Sequence, residues 1–224
     1  MSNLRPLLIV LMALALSVGA CKKKDEGGEA DPPPTAAAED GKKPEGQPAD
    51  PAKDEPAAKG KGSVVGEEVT YEGGGVKMKG YLAYDKSVEG QRPAVLVVHE
   101  WWGHNDYARS RAEQLAAMGY TALAVDMYGD GKQAAHPDDA KKFMMEVVGN
   151  MEAGKTRFAA AMELLTKHET VDGDKLAAIG YCFGGAVVLH MARFGMDLDG
   201  VASFHGNLGT EMPAKKGAVK AKVL

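Results

Sequence analysis

Apolar residues along this chain fall into short runs, and these runs alternate with stretches in which apolar residues recur at helical spacing. Two continuous runs, Ala94–Val98 and Thr121–Val125, have the composition of strands buried on both faces of a sheet. Shorter runs at Leu176–Ile179 and Gly200–Phe204 predict two further strands. Apolar residues three or four positions apart predict helices at Asp106–Met118, Pro137–Val148, Glu152–Lys167 and Ala186–Phe194.

The region before these elements has the pattern of an antiparallel hairpin. Glu68–Glu72 and Val76–Tyr84 alternate between apolar and polar residues, and Gly73–Gly75 lies between them as a turn. The strands and helices that follow alternate, which implies right-handed crossovers and a mostly parallel sheet with helices on both faces. The predicted fold class is therefore α/β, with three layers and an N-terminal antiparallel hairpin.

The pattern differs completely before residue 64. Residues 1–20 contain Arg5, an apolar run at Leu7–Leu16 and then small residues, and the run is too short to span a bilayer, so we expect a cleavable signal peptide. Residues 21–63 hold seven of the eleven prolines, and no Ile, Leu, Val, Met or aromatic residue occurs from 22 to 63. Such a segment cannot bury enough apolar surface to fold, so we expect a disordered Pro/Ala/Lys/Glu-rich tether. Residues 64–224 are predicted to form the folded domain.

Cys21 closes a short motif at the end of the predicted signal peptide. Val18-Gly19-Ala20-Cys21 resembles the lipobox of bacterial lipoproteins, which implies that Cys21 is acylated and becomes the mature N-terminus. Several acyl chains would anchor the protein stably to a bacterial membrane, facing the periplasm or the exterior. The alternative is an ordinary secretory signal that happens to contain a cysteine.

Composition excludes several other classes of function. The formal net charge is −4, so the chain lacks the basic surface that nucleic-acid binding requires. The two cysteines lie in different contexts and do not indicate a disulfide framework. We also expect no metal and no cofactor, because no phosphate loop or dinucleotide motif is present and four histidines lack metal-ligand spacing: His104, His136, His168 and His190. The chain is expected to be a monomer.

The most informative motif is Gly180-Tyr-Cys-Phe-Gly-Gly185, which joins a predicted strand to a predicted helix. A nucleophile between small residues at such a junction is typical of the nucleophile elbow, with Cys182 where serine is usual. A helix N-terminus favours thiolate over thiol at this position. The alternative is a buried structural cysteine on a glycine-rich turn.

Other groups for nucleophilic catalysis are expected around Cys182. Acyl transfer needs backbone donors for the oxyanion, and the N–H groups of Phe183 and Trp101 are the candidates. Trp101 and Trp102 lie in the loop after Ala94–Val98, where their indoles would line an apolar pocket; packing as a lid or in the core is the alternative. Glu100 lies two residues after the same strand and is expected at the edge of the sheet that carries the site.

Three motifs in order resemble the dienelactone hydrolase family: Val98-His-Glu-Trp-Trp-Gly103, Ala124-Val-Asp-Met-Tyr-Gly129 and the elbow. The resemblance runs from about residue 65 to 224 and implies an α/β-hydrolase fold with a Cys-His-Asp triad. It further implies that Glu100 contacts the resting thiol and helps to form the thiolate, and Tyr128 is assigned to the substrate pocket. The function it implies is hydrolysis of small carboxylic esters or lactones through an acyl-Cys182 intermediate.

The sequence departs from the family pattern in two places. Asp130 stands where family members carry an arginine that grips a substrate carboxylate, and no residue here matches the triad Asp and His. Lys222–Leu224 looks like the start of a strand, so we expect a truncated chain that lacks the last strands and helices and is inactive as given. Asp199 and His205 cannot replace the missing pair, since about 20 Å separates them along an extended strand.

Two other histidines lie near the predicted site. His205, at the end of a strand, could at best form a loose dyad with Cys182, and a polar residue at a strand end is the alternative. His99 is expected to form hydrogen bonds behind the site. The rival to the enzyme hypothesis is a lipid-anchored envelope protein that uses the same fold to bind a ligand or partner without catalysis.

Overall fold

The structure is a computed structural model that describes residues 63–224. The chain begins with strands β1 (Val64–Gly73) and β2 (Val76–Asp85), which pair antiparallel over their full length. Gly74 and Gly75 form the turn with positive φ angles of 62° and 74°, a conformation that glycine adopts without strain. The predicted hairpin is therefore confirmed, with strands longer than the alternation indicated.

The rest of the chain alternates between strands and helices, as the sequence predicts. The elements are β3 (Arg92–Val98), α1 (Asp106–Ala117), β4 (Thr121–Val125), α2 (Pro137–Val148), α3 (Met151–Thr166), β5 (Val171–Tyr181), α4 (Phe183–Arg193), β6 (Gly200–Phe204) and β7 (Lys222–Val223). The seven strands form one sheet in the order β1-β2-β4-β3-β5-β6-β7. The pairs β1–β2 and β2–β4 are antiparallel and the others are parallel, so the sheet is mostly parallel.

After the hairpin, two elements differ from their predicted bounds by three residues or more. Strand β5 begins at Val171 rather than Leu176, although residues 172–175 are polar, because this end of the strand extends toward solvent. Helix α4 begins at Phe183 rather than Ala186, directly after Cys182. Gly184 and Gly185 lower the helix propensity of this first turn, because glycine disfavours helix interiors. The sequence pattern therefore does not predict the turn.

The helices cover both faces of the sheet and so produce the three predicted layers. On one face, α1 packs small side chains (Ala108, Ala112 and Ala116) against alternate residues of β3 and β4. On the other face, Phe158 and Leu165 of α3 and Val187 of α4 are buried against the remaining strand residues. Alternate strand residues point to opposite faces, which explains why β3 and β4 are continuously apolar.

The predicted signal peptide, the acylation of Cys21 and nearly all of the tether fall outside residues 63–224 and stay predictions. Within residues 63–224, no helix has both the length and the apolar character that a membrane crossing requires.

Candidate active site

The carboxyl ends of β3, β5 and β6 meet at one edge of the sheet. Val98 of β3 pairs with Gly180 of β5, and Tyr181 of β5 pairs with Phe204 of β6. Two residues beyond the Val98–Gly180 pair, Glu100 is level with Cys182. One residue beyond the Tyr181–Phe204 pair, Cys182 is level with His205. Cys182 lies in the middle of this row, and we call these three residues the strand-end row.

Cys182 has the backbone conformation of a nucleophile elbow. Its φ and ψ angles are 52° and −114°, in a left-handed region that a residue with a Cβ rarely adopts. The Cys182 N–H donates to the carbonyl of Phe204 at 2.9 Å, which ties the turn to β6. The residue is a half-buried free cysteine at the N-cap of α4.

Two glycines allow the strands and the helix to meet at this turn. A Cβ on Gly180 would lie 2.1 Å from the carbonyl oxygen of Gly184, and a Cβ on Gly184 would lie 2.3 Å from that of Val98. Atoms cannot approach so closely without a shift of the backbone. The absence of both side chains therefore lets α4 start directly against the end of β3, beside Glu100.

The candidate oxyanion donors and the two tryptophans lie around this turn. Phe183 is the first residue of α4, so its N–H belongs to the donors that a helix leaves unpaired at its N-terminus. Trp101 and Trp102 are half-buried in the loop after β3, with their rings edge to face at 5.1 Å. The Trp101 side chain also packs against the larger core, so it both supports and borders the site.

Tyr128 supports the loop that carries Trp101. Only 3% of Tyr128 is exposed, and its hydroxyl donates to the Trp101 carbonyl at 2.9 Å. Burial, with a smaller contribution from the charge of Cys182, raises the pKa of Tyr128 well above its usual range. The tyrosine is thus close enough to Cys182 to sense its charge, and its hydroxyl is engaged in holding the Trp101 peptide.

A buried carboxylate to which no sequence motif assigns a role organises the next loop. Asp126 is fully buried and accepts hydrogen bonds from four backbone N–H groups, those of Lys79, Tyr128, Gly129 and Gly131, at 2.7–3.1 Å. These bonds shape the turn after β4 that presents Tyr128. Asp130, at the position of the family's arginine, is exposed and has a φ of 55°.

His99 links the ends of β3 and β4 behind the site. Its Nε2 accepts from the Met127 N–H at 3.2 Å, which places the ring proton on Nδ1, where it donates to the Glu100 carbonyl. Complete burial lowers the pKa of His99 to about 4. The ring is therefore neutral near pH 7 and acts through backbone hydrogen bonds.

This burial predicts a loss of stability in acid. His99 has a lower pKa folded than unfolded, so the unfolded chain binds more protons between about pH 6.5 and pH 4 and unfolding becomes easier as pH falls. We expect the free energy of unfolding to drop by roughly 2–3 kcal/mol from this group between about pH 7.5 and pH 4.5. Burial also lowers the pKa of His104, which adds in the same direction. Denaturant titrations at several pH values measure the slope, which His99→Gln should reduce; an equal slope in that variant contradicts the assignment.

The structure brings His205 to Glu100 and keeps Asp199 away from both. His205 Nε2 lies 3.3 Å from Glu100 Oε1. Asp199 precedes the opposite end of β6, where its carboxylate accepts from the Leu176 N–H at 2.9 Å. Residues 63–224 therefore contain no Asp-His pair at Cys182, and within the same range no three His, Cys, Asp or Glu residues are grouped to hold a metal ion.

A mostly parallel sheet covered by helices, with a strained strand-to-helix turn at its carboxyl edge, is the arrangement of the α/β-hydrolase fold. Within that class the chain belongs to the dienelactone hydrolase family, whose model matches residues 78–224. A putative carboxymethylenebutenolidase of Aquifex aeolicus is 34% identical over 147 residues, covering 63% of this chain and 62% of the relative. The carboxymethylenebutenolidase of Pseudomonas putida is 28% identical over 130 residues, covering 55% and 54%.

Solved structures agree with this assignment. A protein described as m3DLH superposes with a TM-score of 0.69 at 37% identity, covering 72% of this chain and 68% of the other. P91, described as a dienelactone hydrolase-like promiscuous phosphotriesterase from metagenomic libraries, gives 0.68 at 38% identity, covering 72% and 67%. The chain spans 62% of the length of the Aquifex aeolicus relative.

Proposed function

We propose that this protein hydrolyses small carboxylic esters or lactones through an acyl-Cys182 intermediate. The observation that carries the proposal is the left-handed backbone of Cys182 at the N-terminus of α4, between Glu100 and His205. A structural cysteine has no need of this conformation, which costs on the order of 1–3 kcal/mol and is found mainly at functional sites. Membership of a hydrolase family supports the same chemistry.

The proposed reaction has two halves. The Cys182 sulfur attacks the carbonyl carbon, the bond to the leaving oxygen breaks, and the leaving alcohol takes up the thiol proton. The N–H groups of Phe183 and Trp101 stabilise the oxyanion that forms in this step. Water then attacks the thioester, which releases the carboxylic acid and returns the thiol. Glu100 is proposed to accept the thiol proton as substrate binds and to pass it to the leaving alcohol.

The second half needs a positioned base for the attacking water. Residues 63–224 place no Asp-His pair at Cys182, so in this proposal both groups come from sequence outside that range. The two tryptophans favour apolar substituents next to the ester. Asp130 replaces the family's arginine by an acid, which favours uncharged esters over lactones that carry a carboxylate.

The acyl intermediate provides the test. We expect a p-nitrophenyl ester to release one equivalent of nitrophenol rapidly and to add its acyl mass to the peptide that contains Cys182, because formation of the thioester precedes the step that needs the base. Peptide mass spectrometry after a short exposure measures the adduct. Prior treatment with iodoacetamide should block it, and acylation at a lysine or serine instead would disprove the cysteine mechanism.

The non-catalytic alternative is favoured by one observation, the lack of an Asp-His pair beside Cys182 within residues 63–224. In that case the elbow would hold a ligand or partner and no covalent adduct would form. The same mass measurement separates the two functions, since a binding protein would bind the ester without acylation or release of nitrophenol.

We further propose that Cys21 is acylated and anchors the protein to the bacterial envelope, facing the periplasm or exterior. The small residues before Cys21 and the apolar run before them support this. Cys21→Ala should produce an unprocessed or soluble species, because the acylation site is lost. Membrane fractionation of cells expressing both forms measures the difference, and unchanged partition and processing in the variant would rule out the anchor.

A further inference from the structure

Two side chains in the strand-end row touch each other across the elbow. Strands β3 and β6 are not neighbours, since β5 lies between them, and strands are spaced about 4.8 Å apart. The ends that carry Glu100 and His205 are therefore about 10 Å apart. Their side chains nevertheless approach to 3.3 Å, between His205 Nε2 and Glu100 Oε1. This contact must pass over the end of β5, where Cys182 lies.

The backbone holds His205 in position for this contact. His205 has a φ of 45°, in the left-handed region that few residues with a Cβ adopt. The residue before it, Phe204, accepts the Cys182 N–H at 2.9 Å, so the direction of the chain at His205 is fixed relative to the nucleophile. Two left-handed residues side by side at one edge of the sheet are characteristic of a functional site.

The contact between Glu100 and His205 affects the charge around the Cys182 thiol. A carboxylate next to a thiol disfavours the thiolate, because two negative charges repel each other. The Arg111 guanidinium of α1 packs over the rings of Tyr107 and Tyr181, 4.8 Å and 5.8 Å from their centroids. His99 and Tyr128 cannot offset the charge of Glu100, since His99 is neutral and buried and Tyr128 keeps its proton. His205 can offset it, because its imidazole carries a positive charge when protonated.

We propose that His205 is a positioning residue for Glu100, holding the carboxylate over the elbow and offsetting its negative charge beside the Cys182 thiol. This rests on the proposed role of Glu100 next to the nucleophile. Half-exposed pairs contribute modestly, because solvent screens them. The side chains here are 61% and 23% exposed, so the expected effect is on the reactivity of the thiol and is small on global stability.

The test measures the resting thiol without turnover. Iodoacetamide alkylates the thiolate form, so its rate at Cys182 against pH gives an apparent pKa, read on the Cys182 peptide by mass spectrometry in the full chain. His205→Asn should raise that apparent pKa and slow alkylation roughly 3- to 10-fold at the acidic end of the profile, where an imidazole is charged, with a smaller effect above neutral pH. In the Glu100→Gln background the same substitution should have little effect, because no carboxylate charge remains to offset.

The variants are chosen to preserve the fold. Asn tolerates left-handed backbone, so His205→Asn keeps the turn. Glu163→Gln is the matched control: it removes an ion-paired carboxylate from the last turn of α3, toward the opposite end of the sheet, and should leave alkylation unchanged.

Two results would overturn the proposal. One is an unchanged alkylation profile in His205→Asn. The other is an equal shift whether His205→Asn is made alone or together with Glu100→Gln, which would mean that His205 acts on the thiol directly. The acylation test is independent of both, because a failed hydrolase proposal shows as a missing adduct whatever the alkylation rates are.

Discussion

Replacing Cys182 by Ala is expected to lower ester hydrolysis by roughly a thousandfold or more, because a nucleophilic unit loses most of its rate when one member is removed. The substitution removes the sulfur and keeps the Cβ, so the left-handed turn carries the same strain in both proteins. Glu100 and His205 should keep their positions on either side of residue 182. Steady-state rates with a chromogenic ester, measured on the protein as its host expresses it, give the ratio.

Cys182→Ser is the matched variant for this experiment. It places an oxygen nucleophile in the same geometry but loses the easily formed thiolate. We therefore expect a rate between those of the unchanged protein and of Cys182→Ala. Equal thermal midpoints for the three proteins show that only chemistry has changed. Retention of most of the activity in Cys182→Ala would assign the nucleophile to another residue and refute the acyl-cysteine proposal.

Adding one methyl group at Gly184 is expected to destabilise the protein by about 3 kcal/mol, near the upper limit for overpacking. The new Cβ would lie 2.3 Å from the Val98 carbonyl oxygen and 2.6 Å from that of His99. Both neighbours are backbone atoms at the end of a central strand, so neither can rotate away. The end of β3 must shift, and Glu100 and Trp101 shift with it. Activity should therefore fall together with the free energy of unfolding, measured by denaturant titration.

Gly173→Ala is the control for Gly184→Ala. Gly173 lies in the exposed first part of β5, and a Cβ there meets nothing within 4 Å. Its substitution should change the free energy of unfolding by less than about 0.5 kcal/mol, as is usual for surface sites. If Gly184→Ala is tolerated equally well, the close approach of α4 to β3 does not hold the elbow together.

Much of the fold follows from local pattern. Strand β4 and helix α2 begin and end where their apolar spacing predicts. Pro137 is the first residue of α2, where its fixed φ favours the start of a helix. Helix α4 begins three residues before the start that its sequence predicts, because contacts with β3 rather than helix propensity determine where it starts. Propensity describes the isolated chain, and this first turn is stabilised by its neighbours.

The site was predictable in part. Motifs placed Cys182 and Glu100 at one edge of the sheet, and the registers bring them to one level. The contact between Glu100 and His205 was not foreseen, because it depends on the left-handed backbone at His205, which has no sequence signature. The role of Asp126 was also missed, since its partners are backbone N–H groups from two separate parts of the chain.

The glycines at 180 and 184 bear on how tolerance to substitution is interpreted in this protein. Neither position can accept a side chain, because a Cβ would lie 2.1 Å (Gly180) or 2.3 Å (Gly184) from a backbone carbonyl oxygen. Neither glycine has a side chain that could take part in catalysis. A saturation mutagenesis map would therefore mark both as intolerant as Cys182. Measuring folded yield beside activity separates the two kinds of position: variants at the glycines should lose both, and variants at Cys182 should lose activity alone.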